Sequence, residues 1–315
     1  MATLIFPDHP SPVEDAEALR KACQGWGTDE KAIVSILGHR NETQRKLIRQ
    51  AYEDLYHEDL LKTLESELSG HFEKAVYRWI LDPHDRDAVL LHVAIKKSPV
   101  LDYRVVVEIS CIRSPEELLA IKRAYQIRFK HSVEEDLAQH TTAHIRQFLV
   151  GLVSIYRYNG AEINEKVADS EAQILQNAIK EKAFKDEEVA RIITTRSKNQ
   201  VLATLNRFKD DHGSSITKHL KDDDPSSDYL SALRIAIRCI TDHQKYYEKV
   251  IRRALSAVGT DEESLTRVVV TSAEKDLKEI KELFHKRNSV TLEHAVAKDT
   301  SGDYKAFVLA LLGNE

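Results

Sequence analysis

The chain of 315 residues repeats itself four times, and this internal repeat limits the possible folds more than any other feature. In each copy an apolar stretch ends in Arg or Ser, and an aromatic residue follows twelve positions later. The four pairs are Arg40 and Tyr52, Arg113 and Tyr125, Arg196 and Phe208, and Ser272 and Phe284. Units of about seventy residues bury too little apolar surface to be stable alone, so we expect the copies to pack against each other.

The composition favours helix nearly throughout. The chain has only 10 glycines and 7 prolines, while Leu, Ala, Lys, Glu and Arg are abundant. Apolar spacing and proline positions predict five helices in the first copy. They run from about Val13 to Ala22, from just after Asp29, from about Thr43 to Leu55, across Leu60 to Leu68, and from about Phe72 to Leu81. We therefore expect an all-α protein built from four homologous five-helix repeats.

The spacing between copies is uneven, which indicates how the chain is divided. Equivalent positions lie 73, 83 and 76 residues apart. The long middle interval predicts an inserted connector around 158–162 and a division of the chain into two pairs of copies. The expected segments are a leader at 1–12, repeat 1 at 13–83, repeat 2 at 84–157, a connector at 158–168, repeat 3 at 169–241 and repeat 4 at 242–315.

The charge of the chain restricts its partners. The net charge is −5 and the pI is about 6.3, which argues against nonspecific binding to nucleic acid. Direct attraction to an anionic membrane is disfavoured too, so a bound cation would have to bridge the protein and acidic lipid. No apolar segment has the pattern of a signal peptide or a membrane span, and we expect the protein to be made and kept in the cytosol.

Two loops carry a pattern that suits a cation. The first is Cys-Gln-Gly-Trp-Gly-Thr-Asp-Glu at 23–30, and the second is Leu-Ser-Ala-Val-Gly-Thr-Asp-Glu at 255–262. Each lies between two amphipathic patterns, and glycine allows several carbonyl oxygens to face the same side. Ca²⁺ takes about six to eight oxygen ligands. Because carbonyls alone rarely hold Ca²⁺ at cytosolic concentrations, a carboxylate has to come from elsewhere.

An acid stands at the same distance from both loops. Glu67 follows Gly27 by forty residues, and Asp299 follows Gly259 by forty residues. Either acid could instead be an ordinary solvated residue on a helix face. The equal offset from two matching loops favours a role as ligand.

The second and third copies depart from this pattern. Their loops, at 96–102 and 180–186, contain no glycine, and His140 stands at the acid's position in the second copy. We expect both cation sites to be lost. In the fourth copy Ala257 replaces the first glycine, which restricts the backbone and predicts a weaker site than in the first copy.

The four in-register copies, the G-x-G-T-D loop and the paired acids resemble the annexin family over nearly the whole chain. Trp26, His39 and the segments 154–158 and 298–304 are particularly similar to plant annexins. The resemblance implies four repeats packed into a curved disc with calcium loops on its convex face. It also implies reversible, Ca²⁺-dependent docking onto phosphatidylserine and other acidic phospholipids, at the plasma membrane and endomembranes when calcium rises.

The resemblance further implies the Ca²⁺ ligands. Those of the first repeat are the carbonyls of Cys23, Gly25 and Gly27 with the carboxylate of Glu67. Those of the fourth repeat are the carbonyls of Leu255, Ala257 and Gly259 with the carboxylate of Asp299. The weaker secondary sites use the Thr28 carbonyl with Glu30 and the Thr260 carbonyl with Glu262.

Trp26 and Val258 occupy the tips of the two loops. A core role explains poorly why an apolar side chain stands at an ion-binding tip. We interpret both side chains as shallow insertions at the level of the lipid headgroups, where Trp is favoured. The alternative for Trp26 is that it folds back onto its own repeat.

Enzymatic alternatives rest on weaker signals. Plant annexins are discussed as peroxidases with a first-repeat histidine implicated, and His39 matches it. No haem signature surrounds His39, and a histidine at a helix end more often caps that helix. The chain has no G-x-x-x-x-G-K-[ST] motif, and 299–302 resembles a nucleotide-binding D-x-x-G element only by overlapping the predicted calcium site. We expect a protein that is not an enzyme.

Two non-enzymatic alternatives stay open. The resemblance implies a central polar passage that could conduct ions, formed by Asp87, Glu108, Arg113 and Arg267. Polar residues between helical repeats are more often a satisfied structural network. The other alternative is a calcium-regulated scaffold that binds actin or associates with itself on membranes.

The three cysteines have no metal-type spacing. We expect Cys23, Cys111 and Cys239 to be reduced thiols, since disulfides are rare in the cytosol. The alternative is that Cys111 and Cys239 approach each other and act as a redox pair.

Overall fold

A computed structural model of the chain describes residues 1–24, 27–97, 99–154, 156–184, 187–223, 226–256 and 259–314, and for 221–223 it describes the backbone alone. All regular secondary structure in these ranges is helical. The expected all-α class is confirmed for this part of the chain.

The first repeat contains five helices. They are α1 Pro12–Ala22, α2 Glu30–Leu37, α3 Glu42–Tyr56, α4 Leu60–Glu67 and α5 Gly70–Ile80. The second repeat follows the same order with α6 Pro83–Ile95, α7 Tyr103–Ile112, α8 Pro115–Phe129, α9 Val133–His140 and α10 Ala143–Ser154.

The third and fourth repeats share one long helical element. The helices are α11 Glu165–Lys180, α12 Glu187–Thr195, α13 Lys198–His212, α14 Ile216–Asp223, α15 Asp228–Ser256, α16 Glu262–Ser272, α17 Leu277–Asn288, α18 Leu292–Asp299 and α19 Gly302–Leu311. Within α15, Asp242 has an extended conformation at φ −162° and ψ 83°. This kink separates the last helix of repeat 3 from the first helix of repeat 4, so each repeat has five helices.

The chain divides into two compact units. One comprises residues 1–86 and 244–315, and the other comprises residues 87–243. The spacing of the copies predicted pairs that follow the chain, but the structure joins repeat 1 to repeat 4 and repeat 2 to repeat 3. Within the first unit α5 packs against α16 and α19, because the apolar faces of these helices cover each other whatever their order in sequence. The connector lies inside the second unit.

The aromatic residue shared by the four copies fills the core of each repeat. Tyr52, Tyr125 and Phe208 are fully buried, and Phe284 is 3 % exposed. Burying one such side chain contributes about 1.5–3 kcal/mol. The regular spacing that revealed the repeats is therefore the spacing of the core.

An ion pair recurs in the first three repeats. The Arg that follows the second helix of the repeat donates through Nε to an acid on the first helix. The pairs are Arg40 with Asp15 at 2.6 Å, Arg113 with Asp87 at 2.5 Å and Arg196 with Glu171 at 2.7 Å. In the fourth repeat Ser272 replaces the Arg. The pair fixes the first helix against the end of the second.

In the second unit two basic side chains satisfy helix C-termini. Lys198 Nζ donates to the carbonyl of Ile112 at 2.9 Å, at the end of α7. Arg157 donates to the carbonyls of Ile193 at 2.8 Å and Arg196 at 2.7 Å, at the end of α12. Cations at helix C-termini bind free carbonyls and favour the helix dipole.

Candidate calcium loops

The first loop joins α1 to α2. Gly25 and Trp26 lie outside the described residues, so their predicted roles are not placed. The Asp29 N–H donates to the Ala22 carbonyl at 2.9 Å and closes the loop. Gly27 has φ 98°, a conformation that other residues rarely adopt. No atom lies within 4 Å of a Cβ built on Gly27, so the backbone conformation, not crowding, calls for glycine.

The fourth-repeat loop has the same construction. The Asp261 N–H donates to the Ala254 carbonyl at 3.0 Å, and Gly259 has φ 83°. Ala257 and Val258 lie outside the described residues. The closing hydrogen bond and the glycine conformation therefore match those of the first loop.

The two predicted acids lie against these loops. Glu67 is the last residue of α4, and Asp299 is the last residue of α18. Thr28 Oγ1 lies within donating distance of the Glu67 carbonyl, at 3.2 Å, and of Glu67 Oε2, at 3.4 Å. Thr260 Oγ1 donates to the Asp299 carbonyl at 2.7 Å. Segments forty residues apart in sequence meet at both loops.

The charge of Glu67 also acts on the thiol of Cys23 in the first loop. Cys23 is partly buried. Burial first, and then the negative charge of Glu67, raise the pKa of the Cys23 thiol to about 11. The carboxylate is therefore close enough to act on the residue whose carbonyl is a predicted ligand.

The predicted secondary ligands have different surroundings in the two loops. Glu30 begins α2 and Glu262 begins α16. The Glu262 carboxylate lies 3.8 Å from His71 Nε2, and its carbonyl accepts the Tyr304 hydroxyl at 3.1 Å. The fourth-repeat position is thus engaged with other groups of its own unit.

The donor set at both loops consists of oxygen. No three His, Cys, Asp or Glu side chains converge as metal ligands anywhere in the part of the chain that the structure describes. A cation here would rely on backbone carbonyls and one carboxylate. Hard oxygen donors suit Ca²⁺, whereas nitrogen and sulfur donors suit Zn²⁺. The residues present fit Ca²⁺.

The second repeat keeps the entry into its helix but changes the loop before it. Asp102 caps α7 at φ −89° and ψ 82°, close to −87° and 81° for Asp29 and −86° and 80° for Asp261. The Asp102 N–H donates to the Ala94 carbonyl at 2.9 Å. The acceptor stands eight residues earlier, against seven in the first and fourth loops. The loop is thus one residue longer.

The second repeat also lacks a carboxylate at the position of Glu67. His140 is the last residue of α9, and its Nδ1 lies 2.8 Å from the Asp136 carbonyl. Asp136 itself is buried and accepts from Lys96 Nζ at 2.8 Å. The ammonium group of Lys96 therefore already pairs with the buried carboxylate of this repeat.

One acid of the third repeat lies outside the expectations above. Asp223 is the last residue of α14 and follows Ala183 by forty residues, the offset of Glu67 and Asp299. Counting forward from each loop reveals it. The Phe184 carbonyl, equivalent to that of Thr28, accepts the Tyr229 hydroxyl at 3.0 Å. The third repeat combines the acid's position with a loop whose carbonyl is already engaged.

The other predicted residues lie in helix ends and cores. His39 Nδ1 lies 3.2 Å from the Ser35 carbonyl in the last turn of α2. Asp87, Glu108 and Arg113 are buried in the second unit, where Arg113 pairs with Asp87, and Arg267 is buried in the first unit.

Cys111 and Cys239 are buried free thiols of the second unit. Burial raises the pKa of Cys111 to about 11, and burial and then the charge of Cys111 raise the pKa of Cys239. The two thiols are close enough to interact electrostatically, and they carry no disulfide.

None of the described helices combines the length and the apolar composition needed to cross a bilayer.

Comparison with known proteins relates the whole chain to one family. A family model described as Annexin matches residues 14–79, 86–152, 170–235 and 246–311. Annexin-like protein RJ4 of Fragaria ananassa is 65 % identical over 315 residues, covering 100 % of both chains. Annexin III has a TM-score of 0.92 at 30 % identity and covers 100 % of this chain and 97 % of its own. Calcium-bound annexin (Sm)1 has a TM-score of 0.83 at 26 % identity, with coverage of 100 % and 93 %.

Proposed function

Because the chain belongs to the annexin family, which binds phospholipid membranes in a Ca²⁺-dependent way, we propose that it binds acidic phospholipid membranes reversibly through the loops of repeats 1 and 4. Family membership makes Ca²⁺ its cofactor. The observation that carries the proposal is the meeting of each loop with its distant acid, at Thr28 with Glu67 and at Thr260 with Asp299.

The first-repeat ligands would be the carbonyls of Cys23, Gly25 and Gly27 with the carboxylate of Glu67. The fourth-repeat ligands would be the carbonyls of Leu255, Ala257 and Gly259 with the carboxylate of Asp299. When bound, Ca²⁺ supplies positive charge and open coordination positions that a lipid phosphate can fill.

The protein's own contribution is to hold these oxygens in place. Asp29 and Asp261 close the loops through their N–H groups, while the threonine hydroxyls hold the ends of α4 and α18 beside them. A net charge of −5 repels an acidic bilayer without the cation. Binding is therefore ternary, and calcium and lipid each tighten the binding of the other.

Two loops on one chain add avidity, since the second contact with a membrane is intramolecular. Trp26 and Val258, at the loop tips in the sequence, would enter the headgroup region, where Trp is favoured. The second and third repeats contribute helical framework to this function, not calcium ligands.

The alternative functions have less support. His39 lies against the Ser35 carbonyl in the last turn of the preceding helix, as a capping residue does. Asp87 and Arg113 form a buried ion pair, as expected of a structural network. Neither arrangement favours peroxidase activity or conduction over membrane binding.

Co-sedimentation with vesicles tests the proposal. With phosphatidylserine vesicles the wild-type protein should pellet in Ca²⁺ and return to the supernatant in EDTA. The double variant Glu67→Gln, Asp299→Asn should stay in the supernatant at the same Ca²⁺ concentration. A matched double variant, Glu65→Gln and Asp303→Asn, removes two charges from neighbouring helix positions and should pellet like the wild type. Pelleting of the first variant at wild-type levels would refute the role of both acids.

A further inference from the structure

The segment 156–164 joins repeat 2 to repeat 3 and has no regular secondary structure where the structure describes it. It contains the only Asn-Gly pair of the chain, Asn159-Gly160. Asn159 is exposed, as residues of surface loops are. Asn is among the thermolabile residues of proteins, and a following glycine hinders attack on its side chain least because glycine has no Cβ. The sequence and the exposure of this pair therefore favour a covalent change of the Asn159 amide.

The segment is fixed on either side of this pair. Arg157 is buried and donates to two carbonyls at the end of α12. Further along, the Asn164 N–H donates to Gln200 Oε1 at 2.8 Å, and Gln200 Nε2 donates to the Asn164 carbonyl at 3.1 Å. Between these anchors Asn199 Nδ2 donates to the Gly160 carbonyl at 3.1 Å. The pair thus lies in a short exposed loop between two fixed points.

Loss of ammonia from an Asn side chain requires two groups, its amide carbon and the backbone N–H of the next residue. Within the described part of the chain, neither the Asn159 side chain nor the Gly160 N–H makes a hydrogen bond. No helix has to open before the Gly160 nitrogen approaches the Asn159 side chain. The native structure therefore does not protect this pair.

Another Asn precedes a small residue but is protected. Asn288 is followed by Ser289, and Asn288 Nδ2 donates to the Phe284 carbonyl at 2.8 Å and to Glu248 Oε1 at 3.2 Å. The Ser289 N–H donates to the His285 carbonyl at 2.9 Å. Both reacting groups of this second pair are bound at the end of α17, so the fold distinguishes the two positions.

We propose that Asn159 is a site of spontaneous deamidation in the folded protein. The Gly160 nitrogen loses its proton and forms a bond to the side-chain amide carbon of Asn159. The bond from that carbon to the amide nitrogen breaks, ammonia leaves, and a cyclic succinimide remains. Water then breaks one of the two carbonyl–nitrogen bonds of the ring and gives aspartate or isoaspartate. One water is consumed and one ammonia is released, and the reaction needs no oxidant or cofactor.

The products differ from Asn in charge and in the path of the main chain. Both carry a carboxylate, which is ionised at neutral pH and makes the net charge of −5 more negative by one unit. In isoaspartate the side-chain methylene becomes part of the main chain and lengthens the loop between its anchors at Arg157 and Asn164. The site belongs to the second unit and requires neither calcium nor membrane, so it is independent of the function proposed for repeats 1 and 4.

The isoaspartyl product defines the class of enzyme that would act on it. A carboxyl methyltransferase specific for isoaspartate transfers the methyl group of S-adenosylmethionine to the free carboxylate, which gives a methyl ester and S-adenosylhomocysteine. Exposure of the loop leaves this carboxylate accessible to such an enzyme. The chain should therefore become a methyl acceptor only after Asn159 has reacted.

Peptide mapping of the whole folded protein tests the assignment. After incubation at mildly alkaline pH, trypsin in mildly acidic buffer releases peptides 158–166 and 288–298. The first peptide should gain the mass difference between an amide and a carboxyl group at Asn159, several-fold faster than the second peptide at Asn288. Asn164 in the same first peptide should stay unchanged. Equal rates at Asn159 and Asn288 in the folded protein would overturn the proposal.

The nature of the product identifies the route. A succinimide opens to isoaspartate as well as aspartate, whereas direct hydrolysis of the side chain gives aspartate alone. The rate should rise with pH, because the Gly160 nitrogen has to lose its proton. Aspartate as the sole product, or a rate that falls as the pH rises, would exclude attack by this nitrogen.

Two variants and a control locate the methyl acceptor, which is measured as methyl groups transferred from labelled S-adenosylmethionine by a purified isoaspartyl methyltransferase. Asn159→Gln should lose most of the incorporation, since Gln has to form a larger ring. Asn206→Gln, at an exposed position of α13, should behave like the wild type. Incorporation at the wild-type level in Asn159→Gln would place the isoaspartate elsewhere and contradict the assignment.

Gly160→Ala should slow the reaction several-fold, because the added methyl group hinders the attacking nitrogen. A Cβ at this position would lie 2.0 Å from Tyr158 Oη and 2.2 Å from Glu162 Oε2. Both atoms are ends of exposed side chains that can move aside, so the variant should keep its fold, as judged by circular dichroism. An unchanged rate in folded Gly160→Ala would contradict the role of the Gly160 nitrogen.

Discussion

One carboxylate at the end of a helix is the expected side-chain ligand of each Ca²⁺ site. Glu67 and Asp299 are both the last residue of an eight-residue helix, and each lies beside a threonine hydroxyl of its loop. They differ in what the loops offer. The first loop has glycine at position 25, whereas the fourth has Ala257 at the equivalent position, and alanine restricts the backbone more than glycine does.

This difference predicts an order of effects. Glu67→Gln should lose more Ca²⁺-dependent vesicle binding than Asp299→Asn, because the stronger site contributes more of the combined affinity. The measurement is the Ca²⁺ concentration for half-maximal co-sedimentation of each variant. Glu65→Gln on the same helix serves as the control. Equal shifts, or a larger shift for Asp299→Asn, would contradict the ranking.

The cysteines give a second residue-scale prediction. Burial raises the pKa of Cys111 to about 11 and that of Cys239 well above its usual value. A raised pKa keeps a thiol protonated at neutral pH, and the thiolate is the form that reacts. Iodoacetamide should therefore label both residues slowly in the folded protein, because the reagent reaches a buried thiol only when the structure opens locally. Mass spectrometry measures the labelling at each site.

The unfolded protein is the control for this experiment, because denaturant removes the burial and all three cysteines should then react alike. Cys23 is the least buried in the native chain and should be labelled before the other two. Rapid native labelling of Cys111 or Cys239 at neutral pH would show that the two thiols are not buried as described.

At the scale of the helix, most of the architecture can be predicted from the sequence. In the first repeat the expected helices at Val13–Ala22, Thr43–Leu55 and Phe72–Leu81 agree with α1, α3 and α5 to within two residues at each end. Local signals suffice there, because a cap such as Asn41 and a proline such as Pro83 act on their own neighbours.

The features that could not be predicted depend on distant contacts. The extra residue in the second loop shows only in the hydrogen bond from Asp102 to Ala94. A cavity of about 240 Å³ beside Glu171 in the third repeat depends on how α11 packs on α12. In the third repeat the offset of forty residues identifies Asp223 but not the Tyr229 hydroxyl on the loop carbonyl. Hydrophobic periodicity predicts which face of a helix is apolar, but it does not predict which side chains of other helices pack against that face.

The shared N-cap gives a prediction at this scale. Asp102→Ala removes the side chain that accepts from Arg104 N at the start of α7. Loss of an N-cap typically costs about 1 kcal/mol, so the urea midpoint should fall by a corresponding amount, while Ca²⁺-dependent vesicle binding should be retained. Asp102→Asn, which keeps a capping oxygen, should lie close to the wild type. A clear loss of vesicle binding in a folded Asp102→Ala protein would assign the second loop a role that its residues do not indicate.

At the scale of the whole molecule, the packing of repeat 1 with repeat 4 in one unit could not be predicted from the order of the repeats in the chain. In the first unit Arg45 is almost fully buried, and its guanidinium lies 3.7 Å from the centroid of the Trp79 ring. Arg45 donates to Glu274 Oε2 at 2.9 Å, and Glu274 Oε1 accepts from the Glu42 N–H at 2.6 Å. A carboxylate of repeat 4 thus pairs with a buried cation and the start of α3 in repeat 1.

Glu274→Ala should therefore destabilise the unit more than an average surface change. Burial lowers the pKa of Arg45 while the charge of Glu274 raises it, so the variant leaves a buried guanidinium without its counter-charge. Breaking such a pair costs about 3–5 kcal/mol, and we expect the lower end because the Glu274 side chain is 24 % exposed. The free energy of unfolding in guanidinium chloride measures this. Glu274→Gln keeps one of the two acceptor oxygens and should lose less. The exposed Glu282→Ala on α17 should change stability by no more than about 0.5 kcal/mol. If Glu274→Ala were as stable as Glu282→Ala, the pair of Arg45 with Glu274 would not stabilise the contact between repeats 1 and 4.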